Sequence, residues 1–179
     1  MGAEAPSTIM PVRIAVLTVS DTRGPADDRS GDLLVARLTG AGHLLAGRAL
    51  VPDDRPAIEA RLRDWITDPH VDVVISTGGT GLTGRDVTVE AHRAVYEKAI
   101  PAFGTLFTML SFQKIGTSAI QSRACAGVAG GTYLFALPGS PGACADAWDG
   151  ILGQQLDLGH RPCNFVEIMP RLEEHKRRK

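Results

Sequence analysis

The chain has 179 residues, 44% of them hydrophobic, which is enough to bury a core without disulfide or metal support. Its 19 Lys and Arg against 20 Asp and Glu give a formal net charge of −1, so it lacks the basic field that holds nucleic-acid backbone, and we expect no nucleic-acid partner. The three cysteines form no close-spaced pair, which argues against a disulfide framework or a zinc ribbon and favours a reducing compartment. No run approaches the roughly 18 apolar residues of a membrane span, and we expect a cytoplasmic protein without a membrane partner.

Hydrophobic periodicity divides most of the chain into alternating strands and helices. Short β-branched runs are typical of buried strands, and apolar residues recurring every three or four positions are typical of helices. In chain order the predicted elements are a strand at 12–19, a helix at 31–41 capped by Ser30, a strand at 44–51, a helix capped by Asp53 or Asp54 and ended by Asp68-Pro69, a strand at 71–76, a helix at 89–110 broken near Pro101 and Gly104, loop and short helix at 111–123, strands at 124–129 and 132–137, and a helix at 143–156.

This succession predicts an α/β fold with three layers. Two β-α-β crossovers imply a mostly parallel sheet with helices on both faces. The tight Gly130-Gly131 turn between the last two strands makes one strand antiparallel. We expect a single domain over 1–179 with its core at about 12–165, a flexible N-terminal leader and a basic C-terminal tail.

The Gly-rich segment STGGTGLTGRDVT at 76–88 is the strongest local signal for function. Its glycines let backbone approach a ligand, and consecutive N–H groups with the Thr77 and Thr80 hydroxyls can bind an anion, most naturally a phosphate. The alternative is a flexible turn between a strand and a helix. The segment matches neither GxGxxG nor GxxxxGK[ST], which disfavours a dinucleotide-binding dehydrogenase and a P-loop NTPase.

Two acids follow the ends of predicted parallel strands. Asp53 comes after the second strand, and Asp86 lies five residues after Gly81. Each has the alternative role of a helix N-cap. Because the carboxyl ends of parallel strands meet at one edge of a sheet, both acids can face one crevice, where two carboxylates beside a phosphate are typical of a Mg²⁺ site.

Two further segments offer polar groups without carboxylates. The loop LPGSPG at 137–142 places Ser140 before a helix N-terminus, which suits an anion or a ring edge. The segment SFQKIGTSAIQSRA at 111–124 supplies hydroxyls, Lys114 and Arg123. Arg123 is suited to pair with a phosphate, and a surface salt bridge is an equally good interpretation.

Taken together and in chain order, VPDD at 51–54, STGGTG-x4-D at 76–86 and LPGSPG at 137–142 resemble the MoaB/MogA family of molybdenum cofactor biosynthesis proteins. The resemblance runs from residue 12 to about 164. Three segments look closer to the MoaB branch than to MogA: TVSDTRG…D…SG at 18–31, MLSFQKIGTSAIQSRA at 109–124 and RPCNF at 161–165.

The resemblance implies a three-layer α/β/α fold, a trimer or hexamer, and transfer of AMP from ATP to molybdopterin with Mg²⁺, releasing pyrophosphate. It implies that Asp53 and Asp86 are the catalytic acids and the metal ligands. Other cofactor-biosynthesis proteins are expected partners. The expected substrate contacts are Thr77, Gly78, Gly79, Thr80, Gly81, Ser111, Ser118, Arg123, Pro138, Gly139, Ser140 and Pro141.

The sequence is also compatible with two alternative functions. A CinA-like enzyme would use a similar Gly-rich loop to hydrolyse a nucleotide pyrophosphate. A protein that only binds molybdopterin would be favoured if both acids serve as helix caps. The first differs from an adenylyltransferase in its substrate, and the second in having no response to ATP or Mg²⁺.

Overall fold

Six strands form one sheet in the computed structural model, which describes residues 10–177. They are β1 (Arg13–Val19), β2 (Leu44–Val51), β3 (Val73–Thr77), β4 (Lys98–Ala99), β5 (Cys125–Ala129) and β6 (Thr132–Leu137). Their order across the sheet is β2-β1-β3-β6-β5-β4. β1 pairs in parallel with β2 and β3, and β3 pairs in parallel with β6. β5 is antiparallel to both of its neighbours, β6 and β4.

Helices cover both faces of this sheet. They are α1 (Arg29–Gly40), α2 (Arg55–Thr67), α3 (Thr88–Val95), α4 (Pro101–Ile115), α5 (Pro141–Ala147), α6 (Gly153–Gln155), α7 (Phe165–Ile168) and α8 (Glu174–Arg177). α1, α4 and α5 pack on one face, and α2 and α3 pack on the other. A π-helical turn at Trp148–Leu152 joins α5 to α6.

The core lies between the sheet and each helical layer. β1 shows how one strand serves both layers, since successive side chains point to opposite faces: Ile14 and Val16 join the α1 side, whereas Ala15 and Leu17 join the α2 side. All four are fully buried. This explains why the strand is a continuous apolar run rather than an alternating one.

The predicted three-layer α/β/α fold with a mostly parallel sheet is confirmed. The prediction missed β4, which pairs with β5 at only two residues. The mostly helical segment predicted at 89–110 is confirmed with its interruption near Pro101, since α3 ends at Val95, β4 follows, and α4 starts at Pro101. The predicted break at Gly104 is wrong, because Gly104 lies within α4. Proline suits the first turn of a helix, so Pro101 begins a helix rather than breaking one.

Other boundaries also differ from the prediction. α1 is capped by Asp28, whose carboxylate accepts the Gly31 N–H at 2.9 Å, and not by Ser30. α4 extends into the segment predicted to be loop, and a 3-10 helix at Gly116–Gln121 follows it. The C-terminal end, predicted as a tail, is helical at α8. The predicted leader falls largely on residues 1–9 and the end of the predicted tail on 178–179, both outside the described residues.

Candidate active site

Four parallel strands end at one edge of the sheet, and the loops after them form a cleft of about 320 Å³. Because β1 has β2 on one side and β3 on the other, the chain order reverses here, and open α/β sheets bind ligands at such a point. The lining residues are Val19, Ser20, Asp21, Thr22, Arg23, Asp53, Gly78, Gly79, Arg85, Asp86 and Gly139. The cleft thus brings together five of the residues predicted to form the site.

The loop after β3 places glycine backbone against the end of β1. Gly78 and Gly79 have φ values of +101° and +67°, which L side chains rarely adopt. A Cβ on Gly78 would lie 2.2 Å from the Val19 carbonyl oxygen. A Cβ on Gly79 would lie 2.3 Å from Thr88 Oγ1 and 2.9 Å from Asp53 Oδ1. Only glycine fits at both positions, so this wall of the cleft is bare backbone.

Asp53 faces the cleft and does not cap the helix that follows it. The cap of α2 is Asp54, whose carboxylate accepts the Ala57 N–H at 3.0 Å. Asp53 instead exchanges two hydrogen bonds with Asp21: the Asp21 N–H donates to Asp53 Oδ2 at 3.1 Å, and the Asp53 N–H donates to Asp21 Oδ1 at 2.9 Å. Burial and the negative charge of Asp21 raise the pKa of Asp53.

Asp86 does not cap a helix either. The N-cap position of α3 is Val87, and no side chain caps it. Asp86 Oδ2 accepts hydrogen bonds from the Thr83 N–H at 2.9 Å and the Thr83 hydroxyl at 2.8 Å. The same oxygen lies 2.7 Å from where a Cβ on Gly81 would be. Asp86 therefore closes a turn within the Gly-rich loop and presents its carboxylate at the cleft.

Sequence reasoning missed an ion pair that spans the cleft. Asp21 Oδ2 accepts from the guanidinium of Arg85, the residue before Asp86. The hydrogen bond from the Asp53 N–H, aided by Arg85, lowers the pKa of Asp21. Asp21 therefore links the loop that carries Asp53 to the loop that carries Asp86. The signal was available, because Asp21 follows the first predicted strand just as Asp53 follows the second.

The loop after β6 contributes backbone more than side chains. The Gly139 carbonyl accepts from Arg23 Nη1 at 2.9 Å and from Ser30 Oγ at 2.8 Å. Ser140 caps α5 through its hydroxyl, and Pro141 is the first residue of that helix. Of these, Gly139 and Arg23 line the cleft, and Arg23 is a second cation there that sequence reasoning missed.

Thr77 and Thr80, which were predicted to contact substrate, do not line the cleft. Thr77 is fully buried, and its hydroxyl donates to the Pro138 carbonyl at 2.8 Å. Thr80 is buried at 3% exposure. The Thr80 carbonyl accepts the Arg123 N–H at 3.1 Å. The predicted contact of both threonines with substrate stays a prediction.

Arg123 binds the backbone of the Gly-rich loop. Its Nε donates to the Gly81 carbonyl at 2.9 Å and its Nη2 to the Asp86 carbonyl at 3.2 Å. The guanidinium also pairs with Glu90. The structure thus shows the ion-pair alternative for Arg123, with loop carbonyls as additional acceptors, and the phosphate contact stays a prediction.

The remaining predicted contacts lie on α4 and the 3-10 helix that follows it. Ser111 is buried on α4 and Ser118 is exposed on the 3-10 helix. Lys114 forms an ion pair with Asp146 on α5. None of the three lines the cleft described above, so the structure does not bring them to Asp53 and Asp86.

The carboxylates of the cleft fit a magnesium ion that is also held by substrate. Within residues 10–177 no group of three or more His, Cys, Asp and Glu side chains is arranged to hold a metal on its own. Mg²⁺, however, commonly takes one or two carboxylates and completes its shell with phosphate oxygens and water. The negative charges of Asp21 and Asp86 both act to raise the pKa of Asp53, and a cation beside these groups would relieve that repulsion.

A larger cavity, of about 700 Å³, surrounds the Arg13–Asp72 ion pair. Arg13 begins β1 and Asp72 precedes β3, so this cavity lies at the opposite edge of the sheet from the cleft. It contains none of the predicted site residues. Its size therefore does not weigh against the smaller cleft as the candidate site.

Comparison with known proteins identifies the family. A family model described as "Probable molybdopterin binding domain" matches residues 15–157. The chain is 47% identical over 163 residues to "Molybdenum cofactor biosynthesis protein B" of Escherichia coli strain K12, covering 91% of this chain and 96% of that protein. The chain belongs to the MoaB/MogA family.

Further relatives agree with this membership. The protein of the same name from Bacillus subtilis strain 168 is 42% identical over 146 residues, covering 81% of this chain and 86% of that protein. A structure titled "Crystal structure of Molybdenum cofactor biosynthesis protein B" aligns with a TM-score of 0.84 at 38% identity, over 96% of this chain and 99% of the other. The MoaB/MogA family match spans every residue that lines the cleft.

No helix among residues 10–177 is both long and apolar enough to cross a membrane.

Proposed function

We propose that this protein transfers AMP from ATP to the terminal phosphate of molybdopterin, forming adenylyl-molybdopterin and pyrophosphate. One observation carries the proposal. Asp53 and Asp86, which come from separate strand ends, lie at one cleft against the Gly-rich loop, and neither is used as a helix cap. A protein that only needed stable helices would have no reason to gather these charges.

The residues of the cleft suit phosphate chemistry that needs no strong base. A phosphate oxygen of molybdopterin attacks the α-phosphorus of ATP, and the bond from that phosphorus to the bridging oxygen breaks as pyrophosphate leaves. The attacking phosphate is already anionic near neutral pH, so positioning and charge stabilisation account for most of the catalysis. A Ser-His-Asp or Cys-His arrangement is not required.

Several groups of the chain are placed to handle the negative charge of two anionic substrates. Mg²⁺ held by Asp53 and Asp86 would neutralise phosphate oxygens and favour departure of pyrophosphate. The backbone at Gly78 and Gly79 admits a phosphate closely, and the guanidinium groups of Arg23 and Arg85 line the same cleft. Arginine binds phosphate through paired N–H donors.

The direct test is to incubate the purified protein with molybdopterin, ATP and Mg²⁺ and to detect the adenylylated product. We expect equal amounts of adenylyl-molybdopterin and pyrophosphate, and no product when Mg²⁺ is removed by EDTA. ADP-ribose serves as a control substrate. Hydrolysis of ADP-ribose without adenylyl transfer would replace the proposal with a nucleotide pyrophosphatase.

A second candidate is a protein that binds molybdopterin without catalysis. The observation that favours it is the lack, within the described part of the chain, of a group of three side chains able to hold a metal without substrate. Calorimetry separates the two functions. Molybdopterin binding that is unchanged by ATP and Mg²⁺, with no product formed, would support the second candidate.

The protein is also proposed to be a homo-oligomer, trimeric or hexameric, that assembles through α4. The inner side of α4 buries Phe103 and Phe107, and its outer side also exposes several large apolar side chains. Exposed apolar patches of this kind mark interfaces, and the resemblance implies self-association. The exposed residues of this face are Leu106, Met109, Phe112 and Ile115, with Ile120 on the adjoining 3-10 helix.

Phe112→Glu is expected to lower the mass in solution to that of a smaller assembly or a monomer. The side chain is 58% exposed, so the charge is tolerated in the free chain but opposed within an apolar interface. Light scattering at several protein concentrations measures the effect. Ile168→Glu, at another exposed apolar residue, is the control and should keep the wild-type mass. An unchanged mass for Phe112→Glu would argue against this interface.

We also propose that the protein is cytoplasmic, because a reducing environment suits its three free cysteines, Cys125, Cys144 and Cys163. Other cofactor-biosynthesis proteins are the proposed partners.

A further inference from the structure

Thr88, the first residue of α3, carries a buried hydroxyl without a hydrogen-bond partner. The residue is 0% exposed, and its Oγ1 makes no hydrogen bond. Two other buried side-chain atoms of the described residues share this state, Arg61 Nε and Ser122 Oγ, and neither residue lines the cleft. A buried polar group without a partner destabilises a fold, so the position of this one calls for a physical explanation.

The hydroxyl lies beside the proposed cation site. Thr88 Oγ1 and Asp53 Oδ1 are both within 3 Å of the point where a Cβ on Gly79 would be, at 2.3 Å and 2.9 Å. Because Gly79 has no Cβ, the threonine hydroxyl and the carboxylate both lie close to the same side of its Cα. The other oxygen of Asp53 accepts the Asp21 N–H. A hydroxyl can donate and a carboxylate can accept, so the two groups are chemically complementary.

The backbone around Thr88 is held firmly in place. Its N–H donates to the Gly79 carbonyl at 3.0 Å. One turn further along α3, the His92 ring bonds to the Ser76 hydroxyl at 2.8 Å, just before the Gly-rich loop. These two bonds tie α3 to the end of β3 and to the loop. Asp53 lies in a short segment between β2 and α2, so the carboxylate rather than the threonine is the group that can adjust.

We propose that Thr88 is a positioning residue for Asp53. When the carboxylate binds a divalent cation, the Thr88 hydroxyl donates to Asp53 Oδ1. This hydrogen bond fixes the orientation of the carboxylate. This inference rests on the proposed function of the cleft. Carboxylates that ligate metals are commonly oriented by such outer hydrogen bonds, and loss of one typically weakens metal affinity about 10-fold to 100-fold. This role explains why a buried hydroxyl without a hydrogen-bond partner lies at this position.

Thr88→Val and Thr88→Ser separate this role from a structural one. Mn²⁺ is titrated into each protein in the presence of α,β-methylene-ATP, which cannot release pyrophosphate, and binding is followed by electron paramagnetic resonance. We expect Thr88→Val to bind Mn²⁺ about tenfold more weakly or worse, and Thr88→Ser to bind as the wild type does. The urea midpoint of Thr88→Val without ligands should equal or exceed the wild-type value, because valine removes an unpaired polar group.

Thr132→Val is the matched control. Thr132 is also buried, but its hydroxyl donates to the Val71 carbonyl at 3.4 Å, away from the cleft. This variant should lower the urea midpoint and keep Mn²⁺ affinity, the reverse of Thr88→Val. Thr88→Ala provides a second removal of the hydroxyl if valine does not fit, and it should show the same loss of affinity. Unchanged affinity in Thr88→Val or Thr88→Ala would overturn the role of Thr88 while leaving the cation site intact. A wild-type protein that binds no Mn²⁺ in this mixture would overturn the cation site and the role of Thr88 together.

Discussion

Asp53→Asn is expected to slow adenylyl transfer by about 100-fold to 1000-fold, the range found when a preorganised electrostatic group is removed from an active site. Asparagine keeps an oxygen that can accept the Asp21 N–H, now bonded to Asp53 Oδ2 at 3.1 Å, so the local fold should persist. The charge that would hold Mg²⁺ is lost. The rate of adenylyl-molybdopterin formation at saturating Mg²⁺ measures the effect, and urea unfolding shows whether stability is retained.

Asp54→Ala is the neighbouring control, with the opposite expected outcome. Asp54 caps α2, so its loss should lower the free energy of unfolding by about 1 kcal/mol and leave the transfer rate unchanged. The two adjacent acids thus separate catalysis from helix capping. Equal transfer rates in Asp53→Asn and in the wild type would instead show that Asp53, like Asp54, has only a structural role.

Asp86→Asn tests the second acid in the same assay. The amide oxygen can still accept the Thr83 N–H, which now donates to Asp86 Oδ2 at 2.9 Å, so the turn and molybdopterin binding should survive. Adenylyl transfer should fall by a similar factor. Wild-type turnover in this variant would remove Asp86 from the proposed cation site.

The parallel part of the sheet was predictable because its strands are continuous apolar runs. β1 and β3 are each buried on both faces by two helical layers, and such burial selects β-branched residues along the whole strand. β4 has no apolar run of this kind. It has two exposed residues, Lys98 and Ala99, and its pairing with β5 depends on tertiary contact rather than on its own side chains. Periodicity could not detect it.

The place of Asp53 in the site could be predicted, because residues that follow the carboxyl ends of parallel strands line the ligand-binding crevice of open α/β sheets. The hydrogen bonds of Asp53 could not be predicted. Asp53 bonds to Asp21, which lies 32 residues earlier in the chain, and this long-range contact leaves Asp54 as the cap of α2. Arg123 shows the same limit. Its side chain donates to carbonyls 37 and 42 residues away in the chain. Local sequence patterns do not show which residues so far apart come into contact.

The first helix shows how tertiary contacts override local capping preference. Ser30 and Asp28 are both suitable N-caps by residue type. Asp28 has the advantage that its carboxylate, although buried, also accepts from the Thr18 hydroxyl at 2.7 Å and from Arg48 at 2.9 Å. Burial acts to raise the pKa of Asp28, but these hydrogen bonds outweigh it and lower the pKa. Ser30 is then free to donate to the Gly139 carbonyl at the cleft.

Acid is expected to weaken the fold below about pH 6.5 because His92 is buried without charge. Burial lowers the pKa of His92 to about 3, whereas a histidine in an unfolded chain titrates near pH 6.5. Between these values the unfolded state binds a proton that the folded state does not, so the stabilisation is complete above about pH 6.5 and is lost as the pH falls. The loss approaches about 1.4 kcal/mol per pH unit. Burial also lowers the pKa of His43, which adds a contribution of the same sign.

Urea unfolding between pH 7.5 and pH 4.5 measures this dependence. His92→Gln should be less stable than the wild type at pH 7.5, because glutamine cannot fully replace the ring that bonds to Ser76 and Tyr96. Its stability should nevertheless fall less steeply with acid, since the titrating group is gone. His70→Gln, at an exposed histidine, should keep the wild-type slope. A wild-type slope in His92→Gln would show that the acid sensitivity arises from other groups.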